Sequence, residues 1–208
     1  MSKLIATLLL AVSAVMAQYK AEPAGEPPPE LTPAIAGLLE RTGHKILSPD
    51  GKVYCELWFV AKAPSGPKTA ESDVSWPTVP FGSVIGAIRW PGQGSDRRGQ
   101  GIKAGVYTLR FGLFPINGDH QGVAPQRDFL VMSMAAEDKD AAVIDNFDAL
   151  INLSRKVSGT PHPAVLSMWK VEGDAQPGMT QSGESDWALK TRMGDVTIAV
   201  ILVGKVEG

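Results

Sequence analysis

Residues 53–62 have the sequence VYCELWFVAK, in which apolar side chains alternate along the chain. In an extended conformation, Cys55, Leu57 and Phe59 point to one face and Trp58 to the other, because successive side chains of a strand lie on opposite sides. This period of two is typical of an antiparallel strand with one buried face. The stretch therefore predicts a half-buried β-strand.

The same pattern, or a short continuous apolar run, recurs along the rest of the chain. It predicts strands at 44–47, 53–62, 83–90, 103–114, 127–134, 164–171, 187–192 and 196–203. One substantial helix follows Asp145 and a short one follows Thr32, without a regular strand–helix–strand alternation. The order of elements therefore predicts a mostly β fold, an antiparallel β-sandwich (Ig-like or jelly-roll-like) with one inserted helix and a short N-terminal helix.

Local signals predict how several of these elements begin and end. Thr32 is expected to cap the short helix and Asp145 the longer one, which Gly159 should end. Gly194 with its neighbour Asp195 fits a two-residue hairpin turn between the last two strands. The segment KAGVYTL at 103–109 resembles the tyrosine entry found at corners of β-sandwich domains, which predicts a bond from the Tyr107 hydroxyl back to nearby backbone.

The N-terminal segment divides into two parts before the predicted domain begins. Residues 1–17 combine Lys3, an apolar run of about 12 residues and small side chains at the end, the features of a cleaved signal peptide; the run is too short to span a bilayer. Residues 18–32 are rich in Pro and Glu, which predicts an extended linker or mobile arm. Residues 33–208 are then expected to form a single β-sandwich domain in a periplasmic or secreted protein.

Composition excludes several classes of function. The chain has 20 basic and 22 acidic residues, and removal of Lys3 with residues 1–17 leaves a formal charge of −3. There is no basic block, so neither a nucleic-acid footprint nor a polybasic membrane-binding patch is expected. Cys55 is the only cysteine, so no intrachain disulfide forms, and its place in the apolar alternation predicts an inert buried thiol.

Polar residues in two loops raise the hypothesis of a divalent metal site, with no other cofactor predicted. Asp119, His120, Asp128 and His162 offer the carboxylate and imidazole groups that bind such ions. Their spacing matches no zinc, calcium or metalloprotease motif. The alternative is that the loop residues form turns and that Asp128 pairs with an arginine such as Arg110 or Arg127.

Two further groups are candidates for ligand binding. Arg97 and Arg98, in the glycine-rich stretch PGQGSDRRGQG, are able to grip an anionic ligand, and Arg110 on the polar face of its strand is a further cation. Among the five tryptophans, Trp58 falls on the more polar face of its strand and is the first candidate for stacking on a sugar. Ordinary packing and solvated loops remain the alternatives.

The stretches GVYTLRFGLFPINGDHQGVAPQRDF and LSRKVSGTPHPAVLSMW resemble segments of uncharacterised exported bacterial proteins. The resemblance covers roughly residues 100–170, and it implies an exported bacterial domain without implying an activity or any catalytic residue. The expected function is a non-catalytic binding or accessory module of the cell envelope, with a carbohydrate, a peptide or an envelope protein as partner. A metal-dependent, hydrolytic site and an assembly subunit held by the Pro-rich arm are the alternatives.

Overall fold

The computed structural model describes residues 18–115, 127–173 and 176–205. The predicted signal peptide, Asp119 and His120 lie outside the described residues. Within the described ranges, no helix has the length and apolar character needed to cross a lipid bilayer.

The described residues form twelve strands and two helices. The strands are β1 (Lys20–Pro23), β2 (His44–Leu47), β3 (Val53–Phe59), β4 (Val84–Trp90), β5 (Gly94–Ser95), β6 (Gly101–Ile102), β7 (Gly105–Leu113), β8 (Asp128–Met134), β9 (Val165–Lys170), β10 (Gly178–Ser182), β11 (Asp186–Met193) and β12 (Val196–Val203). The helices are α1 (Pro33–Ala36) and α2 (Phe147–Ser158).

Most of these strands belong to one antiparallel sheet in the order β1-β2-β3-β4-β7-β8-β9-β12-β11-β10, while β5 and β6 form a separate hairpin. The edge strands β1 and β10 contact each other, so the sheet nearly closes into a barrel. The prediction of a mostly β, antiparallel fold is confirmed. The structure differs from two packed sheets, because β9 pairs with both β8 and β12 and so joins ten of the described strands into one sheet.

The main core fills the inside of this curved sheet. Cys55, Leu57 and Phe59 are buried in it as predicted, but Trp58 on the alternate face is buried in the same core, so β3 is not the half-buried strand that the alternation predicts. On β12, Ile198 and Val200 belong to the main core, whereas the alternate residues Ala199 and Ile201 belong to a separate apolar cluster. The two faces of β12 are therefore both covered, as its continuous apolar sequence predicts.

Residues 18–32 differ from the linker that their composition predicts. They include β1, which pairs with β2 along its whole length, and Ala24 and Leu31 are buried in the core. Thr32 caps α1 as expected, because its hydroxyl oxygen accepts a hydrogen bond from the Ile35 amide. The short helix ends at Ala36, with Gly37 as its C-cap, and the chain after it bonds to the end of β3.

Helix α2 begins one residue later than the sequence suggests. The Asn146 side chain, and not that of Asp145, accepts a hydrogen bond of 2.9 Å from the Ala149 amide. The helix ends at Gly159, whose φ of 68° lies in the left-handed region that favours glycine. The predicted terminator is confirmed, and the predicted N-cap is corrected by one position.

Two turn predictions are confirmed. The Tyr107 hydroxyl donates a 2.8 Å hydrogen bond to the Lys103 carbonyl, which fixes the entry to β7. Met193 pairs with Val196 across a two-residue turn, and Gly194 in that turn has a φ of 61°.

The antiparallel order gives the sheet two distinct ends. At the end that we call the Arg97 end, β4 and β8 finish and β7 and β9 start, as the pairing of Trp90 with Gly105 shows. At the opposite end, called the Asp128 end, β7 finishes and β8 starts. The strand directions therefore determine from which end of the sheet each loop leaves.

Candidate site at the Arg97 end

Two of the three loops that carry candidate polar residues, 91–101, 115–126 and 159–163, meet at the Arg97 end. They are the glycine-rich loop (91–101), which follows β4, and the proline loop (159–163), which precedes β9. The Gln100 side-chain amide donates a 3.0 Å hydrogen bond to the Pro163 carbonyl and accepts one from the Thr160 hydroxyl. The described residues that flank the third loop, 115–126, lie at the Asp128 end.

Asp96 holds the glycine-rich loop in its shape. Its carboxylate accepts hydrogen bonds from the backbone amides of Arg98, Gln100 and Val165 at 3.0, 2.8 and 3.2 Å, and from the Gln100 side chain at 2.8 Å. Burial raises the pKa of Asp96, and these bonds oppose the rise. With four donors around it, the carboxylate serves as a structural anchor that fixes the backbone of its neighbour Arg97.

Arg97 is a guanidinium with fewer partners than it can bind. Its Nη2 lies 2.8 Å from an Asp186 carboxylate oxygen, and its backbone amide donates to the Val165 carbonyl at 2.8 Å. Its Nε and Nη1 atoms are buried without a hydrogen-bond acceptor in the described part of the chain. Since Nε carries one N–H and Nη1 carries two, three of the five donors of this cation lack an acceptor there.

The Arg97 side chain nevertheless reaches the surface, with 13% of it exposed beside a 17% exposed Asp186. A second cation stands close by, because a Cβ added to Gly99 would lie 3.3 Å from the Lys205 side chain. Buried donors without an acceptor are rare and costly in proteins, especially on a charged group. This end of the sheet therefore offers an incompletely paired cation at a solvent-facing rim.

The expectation that Arg110 binds a ligand is wrong. Its side chain is fully buried, and its Nε and Nη2 atoms each donate to one carboxylate oxygen of Asp138 at 2.7 Å. Nη1 donates to the carbonyl oxygens of Gly82 and Ala142 at 2.7 and 2.8 Å. Arg110 also does not pair with Asp128, because the segment after β8 folds back over β7 and supplies Asp138 instead.

Trp58 is likewise not a surface residue. The alternation places it on the outer face as predicted, but only 1% of it is exposed. The segment after β1 covers this face, and the indole Nε1 donates a 2.8 Å hydrogen bond to the Gly25 carbonyl. The Trp58 ring is therefore unavailable for stacking on a sugar.

The four proposed metal ligands are not assembled in the described structure. Asp119 and His120 lie outside the described residues, so their role as metal ligands stays a prediction. Asp128 lies at the opposite end of β8 from the proline loop that carries His162. Among residues 18–115, 127–173 and 176–205, no group of three or more His, Cys, Asp or Glu side chains is placed to hold a metal ion.

The position of Asp128 explains this result. Its two carboxylate oxygens accept hydrogen bonds from the backbone amides of Ser75 and Trp76 at 2.8 and 3.0 Å, so it pins the 63–81 loop to β8. The proline loop ends beside Met132, whose amide donates to the Ala164 carbonyl. Four residues of strand separate Asp128 from that level, about 13 Å, which exceeds the span of one zinc ion with two ligands.

Three of the five tryptophans, Trp58, Trp76 and Trp90, are buried, and Trp169 and Trp187 are partly exposed. The Trp187 ring packs against Tyr19 at 5.7 Å between ring centroids. Sequence reasoning did not single out Trp169, although its strand was recognised. The residues that cover a particular tryptophan come from distant segments, so the alternation alone could not separate the exposed from the buried rings.

Comparisons with known proteins do not assign the chain to a family. No family model matches it, and neither a curated protein nor a solved structure does. Among the buried side chains that the structure describes, the Arg97 guanidinium has the most N–H groups without an acceptor.

Proposed function

We propose that the chain is an exported, non-catalytic binding module of the cell envelope, and that it recognises an anionic group on its ligand through Arg97. The observation that carries this proposal is that two Arg97 nitrogens, Nε and Nη1, have no acceptor among the described residues. A carboxylate or phosphate supplies charged acceptor oxygens, which form stronger hydrogen bonds with a guanidinium N–H than neutral acceptors do.

The surrounding structure favours a binding role for this cation. Asp96 fixes the loop, so the backbone of Arg97 is ordered before any ligand arrives, which lowers the entropy cost of binding. Asp186 contacts only Nη2 and holds the side chain at the rim without satisfying its remaining donors. An incoming anion would complete the hydrogen bonding of Arg97 and relieve the cost of its buried, unpaired N–H groups.

A thermal-shift titration of residues 18–208 tests this proposal. Sodium acetate, phosphate, galacturonate and oligoglutamate are compared at constant ionic strength. We expect at least one anion to raise the melting temperature in a saturable way, because a ligand that binds only the folded state stabilises it. The Arg97→Met variant should lose this response, and Arg97→Lys should retain only part of it because an ammonium keeps the charge but not the directed N–H groups of the guanidinium.

Arg192→Met is the matched control. Arg192 is exposed at the other end of β11 and donates to the Gly194 and Asp195 carbonyls, so its loss should leave the anion response unchanged. Circular dichroism verifies that each variant is folded. A response that is equal in wild type and Arg97→Met would contradict the proposed site.

Export is tested separately. Cell fractionation of the full chain, followed by mass spectrometry of the product, should find a periplasmic or secreted protein that begins at Gln18. A cytoplasmic product that retains residues 1–17 would contradict the exported location while leaving the Arg97 site open to the titration above.

A further inference from the structure

A cleft opens at the Asp128 end of the sheet, where β3 finishes and β4 starts. The chain stays beside β4 as far as Val60, whose amide donates a 3.0 Å hydrogen bond to the Ile85 carbonyl. The next amide, of Ala61, donates instead to the Leu38 carbonyl at 2.9 Å, so the chain that leaves β3 turns away from the chain that enters β4. Both chains line a cleft of about 460 Å³. Its size is that of a small-molecule pocket, and the mouth of a β-barrel is a common place for one.

Aliphatic side chains dominate the lining of this cleft. Leu38, Val60, Val84 and Val143 are its largest apolar members. Leu38 and Val143 are 40% and 47% exposed, and they are two of the four large apolar side chains that are exposed in the described part of the chain. A ligand with an aliphatic chain would remove this apolar surface from water, which favours binding.

Ser83 adds a buried polar atom to the lining. The residue is 3% exposed, and its hydroxyl has no hydrogen-bond partner among the described residues. Its backbone is satisfied, because its amide donates to the Pro80 carbonyl and its carbonyl accepts from the Phe111 amide. A buried hydroxyl without a partner is costly, and it rotates to donate to an acceptor that comes within reach. The cleft therefore favours a ligand that carries an acceptor.

Two walls of the cleft are tied together by Arg110. Its buried guanidinium donates to the Gly82 carbonyl at 2.7 Å and to the Ala142 carbonyl at 2.8 Å. Gly82 precedes Ser83 in one wall, and Ala142 precedes Val143 in the other. The two walls are therefore held in place before a ligand arrives, which lowers the entropy cost of filling the cleft.

Lys62 is the one charged residue among the described residues that line the cleft. Its side chain is exposed and takes part in none of the ion pairs of the described residues. Glu40 and Asp140 are exposed on the flanking segments and do not line the cleft. Asp195 lines a separate cleft on the other side of the 61–65 segment. A negatively charged head group beside Lys62 therefore matches the lining better than a positively charged one.

We infer that this cleft is a second binding site, whose ligand is a medium-chain fatty acid. The carboxylate of the ligand accepts hydrogen bonds from Lys62 and from the Ser83 hydroxyl. Its aliphatic chain covers Leu38 and Val143. The site lies at the opposite end of the sheet from Arg97, so this inference does not depend on the proposed function.

The test is isothermal titration calorimetry of the purified protein at pH 8 with saturated fatty acids from butanoate to dodecanoate, each below its micelle concentration. We expect affinity to rise about fourfold with each added methylene until the cleft is full, because each methylene leaves water. Octanoate should bind about fivefold or more tightly than 1-octanol, which has the same chain length but no charge.

Two variants, each with a matched control, locate the site. Leu38→Asp puts a carboxylate against the aliphatic chain and should weaken octanoate binding at least tenfold. Val53→Asp is its control, because Val53 is 39% exposed at the start of β3, at the other end of the sheet. Lys62→Met should weaken octanoate about fivefold and leave 1-octanol unchanged, whereas Lys68→Met, an exposed lysine outside the lining, should change neither.

Circular dichroism verifies that each variant is folded, and Arg97→Met separates the two sites. Arg97→Met should bind octanoate as the wild type does, and a parallel loss in this variant would overturn the inference. Affinity that does not depend on chain length, or equal effects of Leu38→Asp and Val53→Asp, would also overturn it. So would 1-octanol that binds as tightly as octanoate with no effect of Lys62→Met, or a wild type that binds none of the fatty acids. Each of these results leaves the Arg97 titration to decide the proposed function.

Discussion

Substitution of Arg110 by methionine should be among the most destabilising single changes in the protein. The guanidinium is fully buried, and every one of its nitrogens donates to a protein acceptor. Its removal leaves the Asp138 carboxylate buried without a counter-ion. It also leaves the carbonyl oxygens of Gly82, Asp140 and Ala142 without this donor.

Breaking a buried ion pair by removing one partner costs about 3–5 kcal/mol. For a chain of this size, such a loss corresponds to a fall in melting temperature of about 10–15 °C. The double variant Arg110→Met/Asp138→Leu removes both charges. It should therefore regain part of the stability, since the penalty of the isolated carboxylate disappears.

Urea unfolding of residues 18–208, followed by tryptophan fluorescence and far-UV circular dichroism, measures these differences from the transition midpoint and its slope. Arg41→Met is the control, because Arg41 and its partner Glu26 are 89% and 76% exposed and such pairs contribute little. A loss of less than about 1 kcal/mol for Arg110→Met, or a double variant less stable than the single one, would refute the reasoning.

Three further changes test other parts of the structure. Burial lowers the pKa of His44 from its usual value, so as the pH falls this imidazole is protonated in the unfolded chain before it is protonated in the folded protein. The urea midpoint should therefore drop between neutral pH and about pH 5. The His44→Gln variant should lose this part of the drop. Gly94→Ala would place a Cβ in steric clash with the Trp90 ring and should lower the melting temperature, whereas Gly92→Ala, with nothing within 4 Å of its Cβ, should not. Tyr107→Phe should cost about 1 kcal/mol in urea unfolding, the value of one hydrogen bond, and an unchanged midpoint would count against the role assigned to that hydroxyl.

The parts of the fold that depend on local pattern were predictable. The burial of Cys55 and Leu57 on one face of β3, the turn at Gly194 and the left-handed end of α2 at Gly159 all follow from spacing and residue type. These features need only the periodicity of a strand or the φ that a turn requires. The single continuous sheet was not predictable in this way, because strand partners such as β9 and β12 are set by packing between distant segments.

The candidate site likewise combines residues that the local sequence identifies with partners from distant segments that it does not. The sequence singles out Arg97 in a glycine-rich loop, but its partner Asp186 comes from a strand far along the chain. Trp58 fails as a surface ring because residues after β1 fold over it, and Arg110 fails as a ligand group because the segment after β8 supplies Asp138. Trp58 and Arg110 both lie on the predicted faces of their strands, and a remote segment decides whether each face is exposed.

The most direct measurement is a comparison, by calorimetry, of the affinity of wild type, Arg97→Met and Asp186→Asn for the anion that gives the largest thermal shift in the titration. Asp186 is the carboxylate that occupies Nη2 of Arg97, so its neutralisation should tighten binding of the anion, whereas loss of the guanidinium should weaken it about thirtyfold or more. Opposite changes in the two variants are what the account predicts. Equal affinities in all three proteins would show that the unpaired donors of Arg97 do not hold the ligand.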